Sequence, residues 1–274
     1  MEYFETSDGL KLAYRLDGAG PPVLCLAGLT RDHHDFDEMI AGISTANFIR
    51  MDYRGRGLSD FDPDYRNYAV HVEARDAIEL LDHLGIDRTA IIGTSRGGII
   101  AMVLAARVRH RLSGVLLNDI GPELTAGGLE RIKGYLGRNP GYKTHVEAAA
   151  DLPRVSTGFA KISAARWMDE AKRLWHDGPK GLTIKYDPKL RDAFLSNAQN
   201  ADPDLWPFFD AMNGMPLALL RGENSDLLSR ETAEKMRKKR PDMLFAEVVD
   251  RAHIPFLDED VSVKLINNFI ELTA

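Results

Sequence analysis

Two kinds of hydrophobic pattern alternate along the chain. Residues 23–27, 48–52, 90–93, 115–118 and 216–221 are short apolar runs, as expected of parallel strands covered on both faces. Between them, residues 70–84 set Val72, Ala74, Ala77, Ile78, Leu80, Leu81 and Leu84 largely on one helical face. Residues 96–108, rich in small and aliphatic side chains, suit a buried helix. Such alternation predicts an α/β sheet with right-handed crossovers. Ahead of it, residues 2–6 and 11–16 flank Ser7-Asp8-Gly9, a turn composition that predicts an antiparallel hairpin. After it come a helix over 229–239, a strand over 244–249 and a helix over 259–272.

One stretch departs from this rhythm. Residues 124–209 show helical patterns and Gly/Pro breaks but no buried strand, and hold all three tryptophans, Trp167, Trp175 and Trp206. The expected organisation is a core of residues 1–122 and 211–274 with a helical cap inserted over 123–210. A small helical unit needs large side chains for its own core, so most of its aromatics are read as packing. Trp206 and Phe209 are the expected substrate-facing exceptions, and the cap is expected to lie over the strand ends where ligands bind.

Composition narrows the function classes. The chain has 274 residues, a net charge of −6 and a 28% charged share, which gives no basic field for nucleic acid. No apolar run is long enough to span a bilayer, so no membrane partner is expected. Met1-Glu2-Tyr3-Phe4-Glu5-Thr6 carries acids where a secretion signal needs basic residues, and a cytoplasmic location is the expectation. The single cysteine, Cys25, lies in the apolar run Val23-Leu24-Cys25-Leu26 and reads as a buried strand thiol in a reducing compartment.

The chemistry is concentrated at four places. Ile91-Ile92-Gly93-Thr94-Ser95-Arg96-Gly97-Gly98 is a strand, a Gly-x-Ser-x-Gly turn and a helix start. That sharp turn projects a serine above the carboxyl edge of a sheet, where a base can activate it. Leu26-Ala27-Gly28-Leu29-Thr30 follows an earlier strand, so the Leu29 and Arg96 backbone N–H groups are the expected oxyanion donors. His253 follows the last strand and is the expected base. The acid that orients it should follow a strand between Ser95 and His253. Asp226, in Arg221-Gly222-Glu223-Asn224-Ser225-Asp226, is preferred, and Asp119, after Leu116-Leu117-Asn118, is the alternative.

With Met51-Asp52-Tyr53-Arg54-Gly55-Arg56-Gly57-Leu58-Ser59-Asp60 and Ala252-His253, these segments resemble the α/β-hydrolase superfamily, in its branch of small capped bacterial esterases, lactonases and carbon–carbon bond hydrolases. Two positions differ from the family pattern: Ala27 replaces a usual histidine, and Ala252 a usual glycine. The resemblance implies hydrolysis of a small carbonyl substrate, ester or lactone first, by Ser95, His253 and an aspartate through an acyl-enzyme. Hydrolysis of a carbon–carbon bond in a diketone-like substrate is the second enzyme reading, and a ligand receptor without turnover is the reading from another class. No His-Glu-x-x-His, cysteine cluster, P-loop or Gly-x-Gly-x-x-Gly occurs, so no metal and no cofactor are expected.

Overall fold

The computed structural model describes residues 1–197 and 204–274. The predicted hairpin forms as β1 (Glu2–Glu5) and β2 (Lys11–Gly18), with Thr6 closing the turn by accepting the Gly9 N–H on its carbonyl at 2.8 Å. The chain continues through β3 (Pro22–Leu26), α1 (Asp37–Gly42), β4 (Asn47–Met51), α2 (Val70–His83), β5 (Thr89–Thr94), α3 (Arg96–Val108) and β6 (Leu112–Asn118). Each predicted apolar run in this half is a strand. In β3 and β5, Val23, Cys25, Ala90 and Ile92 face one apolar layer, while Leu24, Leu26 and Ile91 face the other. Side chains alternate across a strand, but here both faces are buried, which is why no polar alternation appears in the sequence.

Between β6 and the next strand of the sheet lie α4 (Ala126–Tyr135), α5 (His145–Val155), α6 (Ala164–Leu174), β7 (Trp175–Gly178), β8 (Gly181–Ile184), α7 (Leu190–Asn197) and α8 (Trp206–Asp210). Thr125, Thr144 and Ser163 cap α4, α5 and α6 by accepting the N–H three residues on. Helices α5 and α6 pack together, and Ala148, Leu152, Trp167, Ala171 and Leu182 form a small separate core. The sequence predicts no strand here, yet β7 and β8 pair antiparallel. They are four residues each, mostly half-exposed, and carry no apolar run to signal them.

The chain returns to the main sheet as β9 (Leu217–Gly222), followed by α9 (Arg230–Lys239), β10 (Leu244–Val248) and α10 (Asp260–Thr273). The eight strands run in the order β1-β2-β4-β3-β5-β6-β9-β10, parallel from β4 to β10. After β3 the chain adds β4 on one side, then crosses to add β5 on the other. The loops leaving β3 and β5 therefore diverge at the carboxyl edge, where open α/β sheets form their crevice.

Candidate active site

The Ser95 turn is forced by close packing. Ser95 has φ +51°, and its N–H donates to the Asn118 carbonyl at 3.1 Å. A Cβ on Gly93 would stand 2.7 Å from the Gly97 backbone, and one on Gly97 would meet the Leu26 carbonyl oxygen at 2.0 Å. Only glycine lets α3 start this close to β3 and β5. The same proximity lets the Gly97 N–H donate to the Ala27 carbonyl at 3.1 Å, fastening the turn to the loop after β3.

Ser95 Oγ lies 3.0 Å from His253 Nε2, and His253 Nδ1 lies 2.8 Å from Asp119 Oδ2. Asp119 is the first residue after β6 and is fully buried. Its Oδ1 accepts the Gly222 N–H at 2.8 Å, and its Oδ2 also accepts the Ser225 hydroxyl at 2.6 Å. A carboxylate can only accept, so Nδ1 carries the histidine proton and Nε2 is left to accept from Ser95.

The preference for Asp226 over Asp119 is therefore corrected by the geometry. The carboxylate of Asp226 is 41% exposed and pairs with Arg131 Nη2 at 2.8 Å, while its carbonyl accepts the Thr125 hydroxyl at the start of α4. The chain turns sharply after β9, and it is Gly222 and Ser225 of that turn that face inward, both toward Asp119. The turn chosen from sequence does serve the histidine, but it supplies donors to the acid instead of the acid itself. One signal favoured Asp119: it leaves its strand directly, as Ser95 does, whereas Asp226 stands four residues beyond β9.

The Leu29 and Arg96 N–H groups have no hydrogen-bond acceptor among the described residues. The Gly28 carbonyl of the same peptide as the Leu29 N–H accepts from the Arg31 N–H at 3.2 Å, which fixes that peptide's plane. A Cβ on Gly28 would come within 3.9 Å of Ser95 Cβ, so this loop runs beside the serine. Two unsatisfied donors beside a hydroxyl that faces a neutral imidazole can stabilise an oxyanion forming on a carbonyl attacked by Ser95.

A cavity of about 590 Å³ opens over Ser95 and His253. Phe159, Trp167, Trp175 and Tyr186 of the insertion are part of its wall, with Phe256 of the histidine loop. Trp206 and Phe209, the two wall residues expected from sequence, lie elsewhere. Helix α8 packs on α3, where Phe209 is fully buried and Trp206 Nε1 donates to Glu123 Oε1 at 2.8 Å. They are the insertion's attachment to the sheet layer.

Five arginines also line the cavity, Arg31, Arg131, Arg138, Arg166 and Arg173, against two carboxylates, Asp35 and Glu170. Arg31 bridges Asp35 at 2.7 Å and Glu170 at 3.0 Å. Arg166 contacts Glu170 at 3.1 Å and Asp258 at 2.6 Å; Arg173 contacts Glu170 at 2.9 Å and also Glu38. With Arg131 on Asp226, only Arg138 of the five has no carboxylate partner among the described residues. Burial lifts Asp35 to about 6 even though Arg31 sits on it, with Glu170 and Asp32 adding to the rise.

Asp32, His33 and His34 offer possible metal-ligand atoms within 4.8 Å of one another. Each is engaged otherwise: His33 Nδ1 meets Asp52 at 2.9 Å, His34 Nδ1 meets Asp37 at 2.8 Å, and Asp32 accepts the His34 N–H at 3.0 Å. Asp52 also accepts the Leu58 N–H at 3.0 Å, so this cluster holds the glycine-rich loop after β4 in place.

These features coincide with those of a known family. The sequence model of the alpha/beta hydrolase fold matches residues 21–260, and the chain belongs to that family. It is 32% identical to the 3-hydroxybutyrate-oligomer hydrolase of Cupriavidus necator, over 92% of this chain and 89% of that one. It is 24% identical to the 2-(acetamidomethylene)succinate hydrolase of Mesorhizobium japonicum, over 96% and 92% of the two chains. The crystal structure of an alpha/beta hydrolase from Novosphingobium aromaticivorans superposes with a TM-score of 0.92 at 37% identity, covering 99% and 97%. The protein is a hydrolase of this family. No helix among the described residues is long and apolar enough to cross a membrane.

Proposed function

We propose that this hydrolase cleaves small carboxylic esters through a covalent acyl-serine, with Ser95 as nucleophile, His253 as general base and acid, and Asp119 as the residue that orients the imidazole. The observation that carries the reading is the unbroken hydrogen-bond chain from Ser95 Oγ through His253 to the buried Asp119 carboxylate. Ser95 Oγ attacks the ester carbonyl as Nε2 takes its proton, and the Leu29 and Arg96 N–H groups receive the oxyanion. The imidazolium, held by Asp119, returns the proton to the departing alkoxide. Water then enters, loses a proton to Nε2, and attacks the acyl-enzyme to free the acid and restore Ser95.

The substrate class follows from the cavity. Its arginines exceed its carboxylates, and Arg138 is unpaired among the described residues, which suits an ester that carries a free carboxylate. The relative named for 3-hydroxybutyrate oligomers supports this, because such an oligomer is a chain of esters ending in a carboxylate.

The test has two stages. A fluorophosphonate should add to one site in the wild type and to none in Ser95→Ala, read by intact mass. Hydrolysis of a 3-hydroxybutyrate dimer is then compared with that of its methyl ester. The free acid should have the higher kcat/KM, and Arg138→Ala should erase most of that difference, about tenfold for one lost ion-paired hydrogen bond. Labelling that persists in Ser95→Ala, or binding of the esters without turnover, would overturn the serine-hydrolase reading. Equal use of acid and methyl ester would overturn the anionic substrate alone.

A further inference from the structure

Both oxyanion candidates are tied to one buried carboxylate far from Ser95 in sequence. Glu73, on α2, is fully buried. Its Oε2 accepts from Arg96 Nε at 2.7 Å, and its Oε1 lies 2.7 Å from Arg56 Nη1. Arg56, also fully buried, uses Nε to donate to the Leu29 carbonyl at 3.0 Å and Nη1 to donate to the Arg54 carbonyl at 2.7 Å. Arg96 adds a bond from Nη2 to the Tyr68 carbonyl at 3.2 Å. A continuous link thus runs from Leu29 through Arg56 and Glu73 to Arg96, joining the two residues proposed as oxyanion donors.

We infer that Glu73 is a positioning residue, which acts through Arg56 and Arg96 to hold the Leu29 and Arg96 N–H groups at a fixed separation for the oxyanion. Preorganised donors stabilise a transition state because they need not move when charge develops. The Leu29 loop has no regular secondary structure to hold it; β3 ends at Leu26, so its placement depends on hydrogen bonds donated from outside it. Three of them converge there: Arg56 on the Leu29 carbonyl, and the Gly97 N–H and Tyr53 hydroxyl on the Ala27 carbonyl at 3.1 Å each. Only the first couples the loop to the side chain of the residue after the nucleophile. Burial alone would raise the Glu73 carboxyl, but Arg56 and Arg96 outweigh it and hold the group below the usual carboxylate range, while burial brings Arg56 down from its own ordinary value.

The inference rests on the serine-hydrolase reading, and the two fail differently. Wild type, Glu73→Gln, Arg96→Met and Arg96→Lys are compared by kcat and KM for p-nitrophenyl butyrate, by thermal midpoint, and by inhibition with a short alkylboronic acid. The boronate adds to a serine and presents a tetrahedral oxygen to the donors. Glu73→Gln should lower kcat about 10- to 100-fold, with KM within about twofold and boronate affinity falling in step. Arg96→Met should lose at least about fivefold in kcat, and Arg96→Lys should recover most of it. Should Glu73→Gln not fold, the partly exposed Arg96 pair decides the matter. Variants that melt earlier yet keep kcat and boronate affinity per folded molecule would overturn the positioning role. A wild type that neither hydrolyses the ester nor binds the boronate would overturn the hydrolase reading itself.

Discussion

Replacing Asp119 by asparagine changes one atom and should disable the site. The carboxylate accepts three hydrogen bonds, from the Gly222 N–H on Oδ1 and from Ser225 and His253 on Oδ2. An amide must keep its oxygen toward Gly222, whose N–H can only donate, so the NH2 replaces Oδ2. The Ser225 hydroxyl, whose oxygen already accepts from the Leu227 and Leu228 N–H groups at 3.3 and 3.1 Å, loses its acceptor. His253 can meet an N–H donor only with a bare Nδ1, which moves its proton to Nε2, against Ser95. The base is then blocked by its own tautomer. In the trypsin-type triad this same exchange costs about 10⁴ in kcat, which corresponds to roughly 5 kcal/mol of transition-state stabilisation. We expect a loss of this order in Asp119→Asn, with KM nearly unchanged and a stability change of about 1 kcal/mol from the altered hydrogen bonds. Asp226→Asn removes one charge from a pair with Arg131 whose members are 41% and 38% exposed, and such a pair contributes less than about 1 kcal/mol. Its kcat should stay within about threefold of wild type. The assay is p-nitrophenyl butyrate hydrolysis at matched circular-dichroism signal. An active Asp119→Asn beside an inactive Asp226→Asn would refute the reasoning.

Three further outcomes are expected. Trp167→Ala and Trp175→Ala should change the preference among esters of graded acyl length, since both line the cavity, while folded Trp206→Ala should not; the reverse ranking would overturn this division. Burial raises the Cys25 thiol well above its ordinary value, so native protein should not react with Ellman's reagent, whereas urea-unfolded protein should release one equivalent; rapid native labelling would contradict the buried placement. Asp35 has a folded pKa of about 6 against an ordinary 3.8, so its contribution favours folding below the lower value and is lost as pH rises through the higher. Melting temperatures of wild type minus Asp35→Asn should therefore fall from about pH 4 to about pH 6 and then level off, and a flat difference would argue against the raised value.

What could be read from the sequence follows what local patterns encode. Continuous apolar runs identified the inner strands because burial on both faces leaves no polar position. The Gly93-Thr94-Ser95-Arg96-Gly97 turn was legible because close backbone approach, of Gly93 to Gly97 within the motif and of Gly97 to Leu26 in β3, leaves a glycine spacing in the sequence. The partner of His253 was harder to read, since Asp119 and Asp226 both follow strands in the required order; Asp119 leaves its strand directly, but the inward aim of Gly222 and Ser225 toward it exists only in the folded chain. Trp206 and Trp167 could not be told apart for a similar reason. Each is a tryptophan on an insertion helix, and the difference is that α8 lies against α3 while α6 faces the cavity. The β7–β8 pair escaped because two short, half-exposed strands carry no hydrophobic signature.

The wiring of the site also makes turnover a report on folding. Ser95 meets a residue 158 positions away and Asp119 one 134 positions away, across strands β5, β6 and β10 that are brought together, with β9 between the last two, only when the parallel sheet is complete. Closing loops of that length is entropically unfavourable until the sheet's own contacts compensate, so a partly assembled chain has the serine without its base. During refolding from denaturant, recovery of hydrolase activity should lag the return of helical signal and coincide with the last step of sheet assembly.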